Sequence, residues 1–177
     1  CEGDLRSIGA LSSDQGVGDI PTTIDSDTLM NYEVGFKSSF NNGRTRLNVA
    51  TYQIDWSDAR SQVFLGCGWI LEGNFFDIES KGVELNADTS LTDDLEVSLN
   101  VGWNNAEISS VKAGAESLGS VGDPTPMAPE WNVSVGFDYY IENVFKDYSG
   151  FIRGDASYTS EQYSSLGSGL EAATNLF

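Results

Sequence analysis

The chain has 177 residues, with 27 acidic and 9 basic side chains and no histidine, which gives a formal net charge of −18. This charge repels the phosphate backbone and so excludes nucleic-acid binding. The lack of histidine rules out Ser-His-Asp and Cys-His catalysis and argues against a zinc site, and no run of about 20 apolar residues is present to form a transmembrane helix. We therefore expect no catalytic residues, no metal and no cofactor.

Residues 1–28 are acidic and rich in Gly, Ser and Asp, which predicts a long loop. After residue 28, several stretches alternate polar and apolar residues with a period of two. In the first stretch, Tyr32, Val34 and Phe36 alternate with Glu33 and Lys37. We predict strands at residues 29–40, 44–56, 77–90, 95–108, 130–141 and 148–160.

The second strand changes phase along its length. Leu47 and Val49 share one parity, whereas Tyr52, Ile54 and Trp56 are bulky on the other. A β-bulge near the rim would reconcile the two halves.

The connections between the strands alternate short and long. The short ones are predicted turns at residues 41–43, 91–94 and 142–147, and the long ones are loops at 1–28, 57–76, 109–129 and 161–177. Outer-membrane barrels have short periplasmic turns and long external loops. The pattern therefore predicts an all-β fold, an antiparallel up-and-down transmembrane β-barrel segment of about six strands.

Aromatic residues fall near the predicted strand ends, as two interfacial girdles require. We place Tyr32, Trp56, Trp103 and Trp131 at the external level and Phe40 and Tyr139 at the periplasmic level.

The two cysteines, Cys1 and Cys67, both lie in loops predicted to be external. A disulfide between them is the simplest prediction for an exported protein. The alternative is that Cys1 carries a lipid, as the first residue of a mature bacterial lipoprotein does.

Several segments resemble the C-terminal half of the barrel of TonB-dependent outer-membrane receptors. They are NYEVGFKS (31–38), RLNVATYQIDWSD (46–58), SKGVEL (80–85), GWNNAE (102–107), PMAPEW (126–131) and YTSEQY (158–163), in the order and spacing of that family. The resemblance implies a barrel of roughly 22 strands, with a plug domain and an energy-coupling box that these residues do not contain. We therefore interpret residues 1–177 as a partial barrel domain, a fragment without its plug.

The same resemblance implies location in the outer membrane of a Gram-negative bacterium, and receptor activity in place of enzymatic activity. It also implies active import of a small-molecule or glycan ligand, such as a ferric siderophore, cobalamin or glycan. The partners would be outer-membrane lipid and the TonB energy-coupling complex, the latter acting through the missing regions. No residue identifies the ligand.

Alternation also predicts which charged side chains face the lumen. These are Glu33, Lys37, Glu84, Glu96, Asp138, Arg153 and Asp155, and we expect them mainly to pair with one another or with a plug.

The predicted loop 57–76 is unusually apolar. Exposed apolar clusters often mark binding sites, so Phe64, Trp69, Phe75 and Phe76 are candidates for ligand contact. It is equally consistent with the sequence that this segment packs over neighbouring loops.

Two other functions remain open at this point. One is a passive outer-membrane porin. The other is a secreted or lipid-anchored β-sandwich binding module, in which Val97, Leu99 and Val101 would fill a dry core.

Overall fold

The computed structural model describes residues 2–7, 10–11, 13–14, 23–145, 148–164 and 172–173. In these ranges a short helix precedes the strands, as follows: α1 (Glu2–Ser7), β1 (Thr28–Phe40), β2 (Thr45–Phe64), β3 (Ile70–Ser90), β4 (Leu95–Val111), β5 (Trp131–Phe145), β6 (Tyr148–Thr159), β7 (Gln162–Tyr163) and β8 (Ala172–Ala173). Strands β1 to β6 form one antiparallel sheet in chain order, and β7 pairs with β8. Within the described residues, no helix has the length and hydropathy that crossing a membrane requires.

Cross-strand register aligns an apolar row across all six strands of the large sheet. The directly paired residues are Phe36, Val49, Leu85, Val101, Val133 and Tyr158. The adjacent row, on the opposite face, is Lys37, Asn48, Asn86, Asn100, Ser134 and Ser157. One face of the sheet is therefore apolar and the other polar, because successive side chains of a strand point to opposite faces.

The apolar face forms a continuous surface, here called the apolar belt. Its members are Tyr32, Val34, Phe36, Phe40, Leu47, Val49, Val83, Leu85, Ala87, Leu95, Val97, Leu99, Val101, Trp103, Trp131, Val133, Val135, Phe137, Tyr139, Ile152, Ala156 and Tyr158. Many are exposed, including Val34 at 74%. From Leu95 to Trp103 the belt covers roughly 20 Å of height at about 3.3 Å per residue and about 40° of tilt, close to the apolar band of membrane barrels.

Strands β2 and β3 extend well beyond the belt. They contain 20 and 21 residues, about twice the 9 to 11 that cross a bilayer. The predicted loop 57–76 is therefore mostly strand, and only residues 65–69 connect the two. The sequence prediction was wrong here because the alternation changes phase at this level.

At this level the apolar side chains of β2 switch from one face of the sheet to the other, while the pairing register with β1 stays the same. Pairing of β1 with β2 is continuous from Thr45 to Ser57, so the bulge predicted near the rim does not lie between the two halves of β2 and does not reconcile them. Beyond Thr51 the belt-side positions become polar, with Gln53 and Asp55 next along the strand. The register shift in β2 comes later, where Asp58 adopts a φ of 55°.

Above the belt, the inner face is apolar and buried. Phe76 and Ile108 are both 0% exposed, and residues 112–130 fold over them. A Cβ atom at Gly119 would lie 3.0 Å from Ile108 Cδ1, so the connection approaches the strand closely. This small core replaces lipid as the apolar environment of the upper strands.

Backbone hydrogen bonds hold the 112–130 connection to the upper part of β4. Ile108 N–H donates to the Asp123 carbonyl at 2.9 Å, and Gly122 N–H donates to the Ile108 carbonyl at 2.9 Å. Thr125 N–H donates to the Ala106 carbonyl at 2.9 Å. The segment therefore pairs with β4 where β5 no longer does.

The predicted girdle residues divide into two groups. Tyr32, Trp103, Trp131, Phe40 and Tyr139 occupy the belt face as predicted.

Trp56 lies instead on the inner face, paired with Ile78, and its Nε1 donates to Asp27 Oδ2 at 2.9 Å. Its assignment to a girdle was wrong, because it stands above the polarity inversion.

Candidate lumen wall and outer rim

The polar inner face carries a ladder of amide and hydroxyl side chains. Asn86 Nδ2 donates to Asn100 Oδ1 at 2.8 Å, and Asn100 Nδ2 donates to Ser134 Oγ at 3.1 Å. On the neighbouring pair of strands, Thr159 Oγ1 bonds Asn132 Oδ1 at 3.0 Å. These bonds link β3, β4, β5 and β6, so the wall presents a fixed set of donors and acceptors.

Tyr52 contributes an aromatic ring to this face. Its hydroxyl donates to Asn104 Oδ1 at 3.1 Å, and Ser80 Oγ donates to the same oxygen at 2.6 Å. The ring lies over Gly82, since a Cβ atom there would be 2.4 Å from Tyr52 Cζ. Only glycine at this position lets the ring lie against the strand.

The ladder and Tyr52 line an open groove of about 430 Å³. Amides and hydroxyls from β3 to β6 supply most of its polar lining, and Glu84 is the only charged side chain that lines it. Groups of three or more His, Cys, Asp or Glu able to hold a metal ion are absent from the described part of the chain.

A charged row lies nearer the short turns. Arg153 Nε donates to Asp138 Oδ1 at 2.6 Å, and Arg46, Asp88 and Glu96 line an adjoining groove of about 290 Å³. The seven charged residues predicted for the inner face all have the register parity of that face: Glu33, Lys37, Glu84, Glu96, Asp138, Arg153 and Asp155. Of these, Arg153 and Asp138 pair with each other, as expected for wall charges.

The four candidate ligand contacts are separated at the outer rim. Trp69 is 57% exposed in the tip of the β2–β3 hairpin, whereas Phe76 is fully buried beneath residues 112–130. Phe75 is partly buried and contacts Phe76 edge-on, with ring centroids 6.3 Å apart. Phe64 ends β2, and its side chain is outside the described set.

A second small core fixes the rim. Leu5 of α1 packs with Leu11 and Leu65, and Ala10, Val63, Leu71 and Leu118 pack against them. Three segments distant in sequence therefore meet at the hairpin tip. The predicted loop 1–28 thus contributes a helix to the rim.

Cys67 is disulfide-bonded. Cys1 lies outside the described residues, so the pairing of Cys1 with Cys67 stays a prediction.

Comparison with known proteins identifies the family. The family model for "TonB dependent receptor-like, beta-barrel" matches residues 5–174, nearly the whole chain. The chain belongs to the TonB-dependent receptor β-barrel family. A search of curated proteins gave no match.

Solved structures show the same fold. The ferric yersiniabactin uptake receptor FyuA from Yersinia pestis aligns with a TM-score of 0.62 and 17% identity, over 77% of this chain and 19% of its own. The ferric-catecholate import receptor Fiu from E. coli K12 aligns with a TM-score of 0.59 and 18% identity, over 90% of this chain and 20% of its own. The chain thus spans about a fifth of the length of either receptor.

Family membership confirms the predicted fold and location. TonB-dependent receptors are non-enzymatic proteins of the Gram-negative outer membrane, so the apolar belt faces lipid and the polar face lines the barrel lumen. The soluble sandwich alternative was wrong, because Val97, Leu99 and Val101 belong to a lipid-facing belt and not to a dry core between two sheets.

Sequence reasoning missed the groove, although it placed Glu84 on the correct face. Asn and Ser in strands have no spacing of their own that signals a site, and the groove brings together residues from five strands. The alternation of Asn86, Asn100 and Ser134 with the belt residues was the one available signal.

Proposed function

We propose that this chain is part of the wall of a receptor that imports an external ligand by TonB-dependent active transport, the ligand being of the class of a ferric siderophore, cobalamin or glycan. The apolar row and the adjacent polar row of cross-strand pairs support the proposal, because they give the sheet one lipid-facing side and one hydrogen-bonding side that faces the lumen. Family membership supports the coupling to TonB. The two aligned receptors are named for import of ferric chelates.

In this proposal the short turns face the periplasm and the long connections face outside. The rim then meets the ligand first, and Trp69 is the candidate best placed for contact because more than half of its side chain is exposed. Phe76 supports the rim from within. The TonB complex acts through parts of the receptor beyond these residues.

The test uses the full-length receptor that carries this segment, purified from outer membranes in detergent. We expect it to bind the isolated periplasmic domain of TonB in a pull-down, and to show no steady open conductance in a planar lipid bilayer. A passive porin would give the opposite pair of results. Both measurements are independent of the ligand's identity.

A further inference from the structure

We propose that the lumen groove accepts a neutral, hydroxyl-rich ligand such as an oligosaccharide, in preference to an anionic ferric chelate. This inference rests on the proposed function and narrows its ligand class. The groove is the one lined by Tyr52, Glu84, Asn86, Asn100, Asn104 and their neighbours.

The charge of the groove favours a neutral ligand. No Lys or Arg lines the groove, and its one charged lining residue is the acidic Glu84. On the inner face, Arg46 and Arg153 lie nearer the short turns, and Arg153 is bound to Asp138 at 2.6 Å. Lys37 of β1 shares the register row of Asn86 and Asn100 but does not line the groove. An anionic chelate loses hydration on binding, and no cation lines the groove to offset that free-energy cost.

The long-range electrostatic field of the acidic side chains also disfavours an anionic ligand. This segment, which spans about a fifth of the length of the aligned receptors, carries a formal net charge of −18, and an excess of one sign of charge repels ions of that sign. A neutral ligand avoids this repulsion entirely.

The hydrogen-bonding groups of the groove match those of a sugar. An amide side chain offers two N–H donors and an acceptor oxygen, and a hydroxyl offers both roles. Asn86, Asn100 and Ser134 present these groups in a bonded chain at 2.8 and 3.1 Å. Sugar hydroxyls, which also donate and accept, match such a surface without any net charge.

The Tyr52 ring gives the groove an aromatic surface. Tyr52 lies against Gly82 because glycine leaves room for the ring, and its hydroxyl is held by Asn104. A ring fixed against the wall with its polar tip bonded combines an apolar surface with hydrogen-bonding groups. The C–H face of a sugar ring and its hydroxyls require this combination.

The experiment measures binding to the full-length receptor in detergent by isothermal titration calorimetry. The neutral probes are maltohexaose, laminarihexaose and xylohexaose, and the anionic probe is a ferric tris-catecholate complex. We expect at least one hexaose to bind and the ferric complex not to bind. Tyr52→Ala and Asn104→Ala should each weaken hexaose binding about tenfold, since each removes a contact worth roughly one hydrogen bond or ring contact.

Tyr52→Phe keeps the ring and removes the hydroxyl, so it should fold and should weaken binding less than Tyr52→Ala. Asn31→Ala is the matched control, because Asn31 has inner-face parity on β1 but does not line the groove. Binding of the ferric complex, failure of every hexaose to bind, or equal losses in Asn31→Ala and Asn104→Ala would each overturn the inference. TonB-domain binding, measured on the same preparation, reports the proposed function separately.

Discussion

Replacing Val49 with arginine tests the assignment of the two faces. Val49 lies in the apolar row between Phe36 and Leu85, within the belt. Arginine near the bilayer midplane costs about 2–4 kcal/mol, which lowers the folding equilibrium constant roughly 30- to 1,000-fold. The matched control is Asn48→Arg, one residue away but on the polar lumen face, where we expect a cost below about 1 kcal/mol.

The assay is equilibrium unfolding of the full-length receptor from lipid vesicles with guanidinium, followed by tryptophan fluorescence. We expect Val49→Arg to shift the midpoint strongly to lower denaturant and Asn48→Arg to shift it little. Equal shifts in the two variants, or a larger one for Asn48→Arg, would refute the assignment of lipid and lumen faces.

Three further predictions concern packing and the cysteines. Gly82→Ala should lower the thermal unfolding midpoint, because the added methyl group displaces the tyrosine ring above it at a cost of about 1–3 kcal/mol. Gly102→Ala is the control and should be close to neutral, since the atom nearest to its added Cβ would be 3.9 Å away. Phe76→Ala should cost about 3–5 kcal/mol through the cavity it leaves and should speed limited proteolysis within residues 112–130; an unchanged cleavage rate would contradict the role given to this core. Peptide mapping without reduction should find Cys67 linked to Cys1, and a lipid on Cys1 or alkylation of Cys67 would contradict the pairing.

The sequence was most informative where a strand lies between lipid and lumen. In β1, β4 and β5 the apolar positions lie on the lipid-facing side throughout the belt. The faces of these strands and their first residues could therefore be predicted closely. Hydrocarbon on one side and water on the other impose a period of two that is visible without any structure.

Prediction failed where the environment of the strands changes. Above the belt, β2 has water on its outer side and the Phe76–Ile108 core on its inner side, so the apolar positions switch face. A pattern that reverses phase resembles a loop or a bulge when only the sequence is known. The covering segment, residues 112–130, comes from far along the chain, and local periodicity carries no information about it.

The groove was inaccessible for a different reason. Its chemistry depends on side chains brought together by register from separate strands, and on Gly82 giving space to Tyr52. Each of these residues is unremarkable where it stands in the sequence.

The length of the β2–β3 hairpin has a consequence for the cell surface. Hydrogen-bonded strands are more rigid than a free loop. From Thr51 to Phe64 they therefore form a rigid extension that holds residues 65–69 roughly 30 Å beyond the hydrocarbon. Antibodies or phage would meet this tip, together with the α1 helix that packs against it, well outside the membrane, and a short epitope inserted there would be displayed on intact bacteria.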